Sequence, residues 1–298
     1  MDGCVRDRFV VVDGFMPIEN AASMREDIDA HFAEPGQHKA DTHQVWNYWH
    51  VPGSYTYLRT TPEKVIARDK VERFVAGLRD WTARNLGLAG VSWPYLSLYV
   101  PGCLQGLHND STNGRLGYVY SLTSDDRRTQ GGETLLMHER DLFRSSLDAA
   151  AAGTDLFDLI EPRFNRLTLF DDRIPHAVQR LDGPMDPREG RFVLHGHISE
   201  AGVVAHGDLS PEAIQDKVVA ILRDLRETLG KDVHGPLVIS VEIAPNGKLA
   251  RAAPILDRLA SNNGADIDAL RAAVADQLDA LQFPASAGPT RANIPLIF

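Results

Sequence analysis

The sequence predicts an α+β, mainly β fold: a sandwich or barrel of antiparallel strands behind N-terminal flanking helices, followed by a small C-terminal αββαβ unit. Three observations predict it. Between residues 93 and 200, short β-rich segments alternate with turn residues: WPYLSLYV, RLGYVYSLT, GETLLM, NRLTLF, HAVQRL and RFVLHGHI. Ahead of them lie stretches with apolar residues at helical spacing. After His206-Gly207-Asp208 the pattern turns to long amphipathic helices around an alternating strand pair.

Taken in order, FVVVDGF (9–15) reads as a strand ended by Gly14, and residues 17–33 as a helix with Met24, Ile28 and Phe32 four apart. The aromatic stretch HQVWNYWHVPGSYTYLRTTP (43–62) has no helical period and is punctuated by Pro52-Gly53, which fits a loop or edge hairpin. Residues 63–86 read as a helix with Val71, Phe74, Leu78 and Trp81 on one face. The strand region follows. An insert at 139–160, ERDLFRSSLDAAAAGTDLFDLI, breaks its rhythm and is expected to cover one end.

Ser210-Pro211 is an N-cap with Pro at the first helical position, and the helix it opens carries Ile214, Val218, Ile221, Leu222, Leu225 and Leu229 on one face. LVISVEIA alternates, Asn246-Gly247 is a hairpin turn, and a strand over about 248–256 follows. A second helix with Ile267, Leu270, Val274, Leu278 and Leu281 precedes a last short strand, NIPLIF. Such a unit can bury its own core, so the expected domains are 1–205 and 206–298.

A net charge of −10 without a basic patch argues against a nucleic-acid partner. No apolar run approaches the ~18 residues of a membrane span, and MDGCVRDRFVVVDGF lacks a signal-peptide pattern. Two cysteines, Cys4 and Cys103, make no disulfide framework, so a reducing cytoplasm is expected. Cys103 is a candidate ligand or a small buried thiol.

The chemistry concentrates at His108-Asn109-Asp110. Two residues apart on a strand, side chains point the same way, so His108 and Asp110 can grip one ion together. A third ligand must come from a distant strand, and His176 in FDDRIPHAVQRL stands at the start of one. Two histidines and one carboxylate form the facial ligand set of non-haem Fe(II) oxygenases. Arg191 opens RFVLHGHI, where a guanidinium can pair in bidentate fashion with a carboxylate or lie in a surface ion pair.

LYVPG (98–102), HND (108–110), Arg115, YVYSLT, GGE (131–133), FNRLTLF (164–170), PHAV (175–178) and Arg191, in that order, resemble the Fe(II)/2-oxoglutarate-dependent dioxygenases, in particular their prolyl-hydroxylase-like branch. The resemblance covers about 9–200. It implies a double-stranded β-helix, or jelly roll, with iron at its open end. His108, Asp110 and His176 would hold the metal and act as the catalytic centre, and Arg191 would hold the co-substrate 2-oxoglutarate. It implies consumption of O2 and hydroxylation of an aliphatic C–H of an amino acid, free or within a peptide or protein. Related halogenases replace the carboxylate ligand by a small residue; this chain keeps Asp110, which favours hydroxylation.

A tyrosine hydroxyl often shares the co-substrate carboxylate in that family; Tyr99 stands where one occurs, with Tyr118 and Tyr120 as rivals. His195 and His197 alternate inward with Arg191, either as an HxH metal pair or as cavity lining, with His197 a candidate for contact with 2-oxoglutarate or substrate. Trp49 and its neighbours form either core or a substrate lid. Arg59, Asn113 and Arg115 are candidates for touching substrate, Arg115 alternatively pairing with Asp110, and His138 fits a turn. About 235–298 resembles the C-terminal domain of TonB-like proteins, whose sheet edges bind partners. That implies a peptide partner or a second copy by strand addition, or else a stabilising appendage. The competing function is a non-catalytic jelly-roll binding or sensor module using that domain as its interface.

Overall fold

The computed structural model describes residues 4–34, 45–110, 113–138, 156–229, 232–261 and 264–298. The chain separates into two compact units, one of Phe9–Gly77 and Ser92–His197, the other of Met1–Arg8, Leu78–Val91 and Ile198–Phe298.

The first unit opens with β1 (Phe9–Asp13) and α1 (Ile18–His31), whose Ala21, Met24 and Ile28 are buried at the predicted spacing. Arg25 ties α1 down, pairing with Asp29 one turn on and donating to the carbonyl of Leu122. The aromatic stretch forms an antiparallel hairpin, β2 (Asn47–Val51) and β3 (Tyr55–Thr60). The next helix, α2 (Arg68–Leu86), starts later than its periodicity suggests: Pro62–Lys64 form a separate 3-10 turn, and Asp27 accepts from the Ala67 N–H. Phe74 of α2 stacks on Tyr120, centroids 4.7 Å apart.

After the short β4 (Gly90–Val91) come β5 (Tyr95–Tyr99), β6 (Leu104–His108), β7 (Leu116–Ser121), β8 (Thr134–Met137), β9 (Phe157–Ile160), β10 (Arg166–Asp171), β11 (His176–Val178) and β12 (Arg191–Ser199). They pair as two antiparallel stacks of four, β10-β7-β12-β5 and β6-β11-β8-β9, joined through β3, with β1 added beside β10. This is the strand order of a double-stranded β-helix. Phe157–Ile160 belongs to it as β9, paired with β8, so the end of the expected covering insert is instead a fold strand; 139–155 lie outside the described residues.

The FNRLTLF motif has a structural cause. Asn165 adopts a left-handed conformation (φ 57°) and is buried. Its side chain accepts from Met16 N and Tyr120 Oη and donates to Met16 O, clamping the chain after β1 to the start of β10. Asparagine tolerates this backbone region, and its amide satisfies both buried partners.

In the second unit, β13 (Val204–Gly207), α3 (Pro211–Thr228), β14 (Val233–His234), β15 (Pro236–Ile243), β16 (Leu249–Asp257), β17 (Ala260–Ser261), α4 (Ile267–Asp279) and β18 (Thr290–Ile297) follow in order. The four-stranded sheet runs β13-β18-β15-β16. Ile214, Val218 and Leu225 of α3, Leu270, Val274 and Leu278 of α4, and Leu237 and Val241 of β15 share one core. Each such side chain contributes roughly 1.5–3 kcal/mol of transfer free energy. Ser210 caps α3 by accepting from Ala213 N (3.2 Å), and Asp266 caps α4 by accepting from Ala269 N (2.9 Å). This unit is wider than a cut at residue 206: Val5 pairs in parallel with Leu256, and Ile198 pairs with Val91.

Candidate metal centre

His108 ends β6 and His176 begins β11, and the antiparallel register sets them directly opposite. Asp110 lies just past β6, its N–H donating to the Asp172 carbonyl (2.9 Å). One donor atom from each of His108, Asp110 and His176 lies within 4.8 Å of the others.

Hydrogen bonds define the imidazole tautomers. His108 Nδ1 lies 2.8 Å from the carbonyl of Gly106, and His176 Nδ1 lies 2.9 Å from that of Ile174. A carbonyl only accepts, so each Nδ1 carries a proton and each neutral ring presents a lone pair at Nε2. His176 Nε2 then faces Asp110 Oδ2 at 3.5 Å. Acceptors converge on one point, an arrangement that a cation or an added proton satisfies. The donor set therefore fits a divalent metal with positions left open for exogenous ligands.

Electrostatics agree with that reading. Burial, with His176 adding to it, pushes the His108 pKa down and favours the neutral ligand form. With a proton rather than a metal between them, the His176–Asp110 contact becomes a hydrogen bond that holds the Asp110 carboxyl at about 2, against burial. A chain of donors reaches His108 from the barrel interior: Tyr99 Oη donates to Gln105 Oε1 (2.9 Å), and Gln105 Nε2 lies 3.1 Å from His108 Nε2.

The centre opens into a cavity of about 510 Å³ that is also lined by Arg191, Tyr99, Tyr118, His195, His197, Arg59 and Asn113. Arg191 is 2% exposed; its Nη2 donates to Thr134 Oγ1 (3.0 Å), its guanidinium lies over the Tyr99 ring (4.9 Å), and among the described residues its Nε has no partner. Burial lowers its pKa. A buried, half-satisfied guanidinium facing a cavity is suited to an anion. The GGE motif makes room for it. Gly131 and Gly132 both have positive φ (83° and 80°), and a Cβ on Gly132 would stand 3.1 Å from Arg191 Cδ.

The other predicted residues divide. Tyr99 and Tyr118 reach the cavity, with Tyr118 Oη donating to Ser92 O. Tyr120 is not among the cavity residues: it packs on Phe74 and donates to Asn165. His197 lines the cavity, but its Nδ1 lies 3.1 Å from Asp172 Oδ2, while His195 Nε2 lies 2.8 Å from Ser97 Oγ. Among the described residues, neither group of three possible ligands contains His195. A second cluster of possible ligands, Asp110, Asp172 and His197, shares Asp110, but there the imidazole is already bonded to Asp172. Burial pulls the His197 pKa down, yet the Asp172 contact outweighs it and the net shift is upward; burial raises Asp172. Burial and the charges of Arg59 and Arg191 push His195 down to about 3, so it is neutral.

Asn113 donates to Asp110 Oδ1 (3.3 Å). Trp49 is exposed and stacks over Arg59, and Arg115 is not among the cavity residues. Cys103 is a buried free thiol outside the cavity lining. Gln105, Asp172, Trp93 and Tyr95 were not anticipated. Gln105, three residues before His108, and the Asp171-Asp172 doublet before Pro175-His176 were the available signals.

No family model matches the chain, and no curated protein matches it. Among solved structures, it is similar to a prolyl hydroxylase from Trichoplax adhaerens in complex with a hypoxia inducible factor oxygen degradation domain peptide fragment, at 16% identity and TM-score 0.45, over 64% of this chain and 82% of that one. A Pseudomonas putida prolyl-4-hydroxylase matches at 15% identity and TM-score 0.45, over 65% of this chain and 94% of that one. The non-heme alpha ketoglutarate dependent epimerase SnoN from nogalamycin biosynthesis matches at 13% and 0.44, over 66% and 79%.

Proposed function

We propose that this protein is an Fe(II)- and 2-oxoglutarate-dependent dioxygenase that hydroxylates an aliphatic C–H of an amino acid, free or within a peptide or protein. The observation that carries the reading is the convergence of His108, Asp110 and His176 at a cavity that also holds the buried Arg191.

When bound, Fe(II) with O2 supplies the oxidation: 2-oxoglutarate is decarboxylated to succinate and CO2 as one oxygen atom enters the substrate C–H. The chain's residues prepare that chemistry. The carbonyls of Gly106 and Ile174 hold both imidazoles with Nε2 toward the metal position. Asn113 steadies the Asp110 carboxylate from the loop after it. Arg191, braced by Thr134 and the Tyr99 ring, would take the distal carboxylate of 2-oxoglutarate. Tyr99, Tyr57 and Phe170 give the cavity an aromatic wall that keeps water from the reacting groups.

The test is succinate release from 2-oxoglutarate by anaerobically Fe(II)-loaded protein, compared with His108→Ala, alongside metal and co-substrate binding. Wild-type protein that binds neither metal nor 2-oxoglutarate would leave the binding-module reading in its place.

The C-terminal unit suits an accessory or interaction role, because β16 is an edge strand of its sheet. Light scattering of the full chain reports whether a homodimer forms. The two free cysteines suit a reducing cytoplasm, and among the described residues no helix is long and apolar enough to cross a membrane.

A further inference from the structure

We propose that Arg59 is the anchor for a carboxylate carried by the substrate, so that the oxidised molecule is an acid bound by its anionic end. The inference rests on the oxygenase reading above and names the substrate class for that same cavity.

Arg59 sits on β3, opposite Asn47 of β2 and Ser97 of β5, and lines the cavity. Aromatic rings crowd its guanidinium: the Trp49 ring lies 4.0 Å from it and the Tyr95 ring 4.4 Å, with Tyr57 farther off at 5.8 Å. Aromatic rings over the guanidinium leave its N–H edge as the part able to bind, and a planar fork of donors matches a carboxylate. Arg25, Arg166 and Arg173 each reach a carboxylate. Among the described residues Arg59 makes no such ion pair.

Charge balance sharpens the point. A divalent metal and Arg191 are offset by Asp110 and the doubly charged 2-oxoglutarate, and Asp172 is paired with His197. Arg59 is then left over in a partly desolvated cavity, where an unpaired cation is costly. His195, also in the cavity, brings no negative charge, and its Nε2 is engaged with Ser97. A substrate bringing one carboxylate restores neutrality. That carboxylate can belong to a free amino acid or to the C-terminus of a peptide.

The experiment uses the full chain loaded with redox-silent Zn(II) and saturated with 2-oxoglutarate. The probes are the twenty L-amino acids as free acids and as C-terminal amides, and tripeptides of each tight-binding residue with free or amidated C-termini. Binding is read by tryptophan fluorescence, since Trp49 covers Arg59, and by calorimetry. At least one acid should bind about tenfold or more tightly than its amide, a gap of ~1.4 kcal/mol. Arg59→Gln should erase that gap, and Arg59→Lys should restore part of it. Preference for the single residue or the tripeptide identifies the source of the carboxylate. Equal binding of acid and amide, an undiminished gap in Arg59→Gln, or no binding by any acid would overturn the inference while leaving the oxygenase reading intact. Failure of the wild type to take up Zn(II) and 2-oxoglutarate would instead bring down the oxygenase reading and this inference with it.

Discussion

His108 and His176 are cross-strand partners on β6 and β11, with ring centroids 4.2 Å apart, and each gives its Nδ1 proton to a carbonyl two residues earlier in its own chain. The local backbone orients each ring, and the strand pairing brings the two lone pairs together. Replacing either by Ala should weaken divalent-metal binding by about 100-fold or more. Titration with Co(II), read by calorimetry, checks this, with far-UV circular dichroism confirming that the strands persist.

Arg191 should show opposite effects on binding and stability. Arg191→Met removes a buried guanidinium with an unpartnered Nε. Its affinity for 2-oxoglutarate should fall about 10–100-fold, while its urea midpoint stays level or rises, because an apolar side chain replaces a poorly compensated charge.

The Asp110 carboxyl, held at about 2 by a hydrogen bond to His176 when a proton instead of a metal lies between them, titrates below the ordinary ~3.9. A depressed folded-state pKa means stability that is present above the ordinary value and lost as pH falls through the folded one. In chelator-treated protein, the Tm of wild type should therefore drop relative to Asp110→Asn between about pH 4 and pH 2. A parallel pair of curves over that window would contradict it.

Gly131→Ala should destabilise by about 2–3 kcal/mol, since φ is positive there and the new Cβ would clash with the Arg180 carbonyl. Gly132→Ala presses instead on Leu181 and Arg191. It should lose more 2-oxoglutarate affinity, per unit of stability lost, than Gly131→Ala. Chemical denaturation and co-substrate titration of the two variants separate the effects.

In the C-terminal unit, Ser210→Ala removes the hydroxyl that accepts from Ala213 N at the start of α3 and should cost about 1 kcal/mol. Ser210→Asn should recover most of it.

Much of the centre was legible in sequence because its elements are local. Two-residue spacing at His108 and Asp110, a proline-histidine at a strand start, and an arginine opening an alternating strand each state a chemical preference without a fold. The capped α3, and the hairpin over 47–60 as one of two readings beside a loop, were readable for the same reason: turn residues, caps and period act over a few positions. What escaped was non-local. Tyr118 and Tyr120 have like sequence credentials, but only Tyr118 lines the cavity; Tyr120 is held by Phe74 and Asn165. His197 lines the cavity as expected of a candidate contact, but only the fold shows that Asp172, brought in from beyond the end of β10, engages its Nδ1. The strand at 157–160 was hidden in a stretch whose neighbours carry no alternation, because its pairing partner supplies the register.

By itself, then, the sequence determined which side chains are candidates to ligate a metal or pair with an acid, and most of the segments that form strands or helices, since those follow from residue chemistry and short-range period. The tertiary structure alone decided which of them meet: antiparallel register sets His108 against His176, and the turn of Gly131-Gly132 lets Arg191 stand under the cavity. Convergence of groups so far apart along the chain depends on hydrogen-bonded pairing between strands, and no local preference encodes that distance.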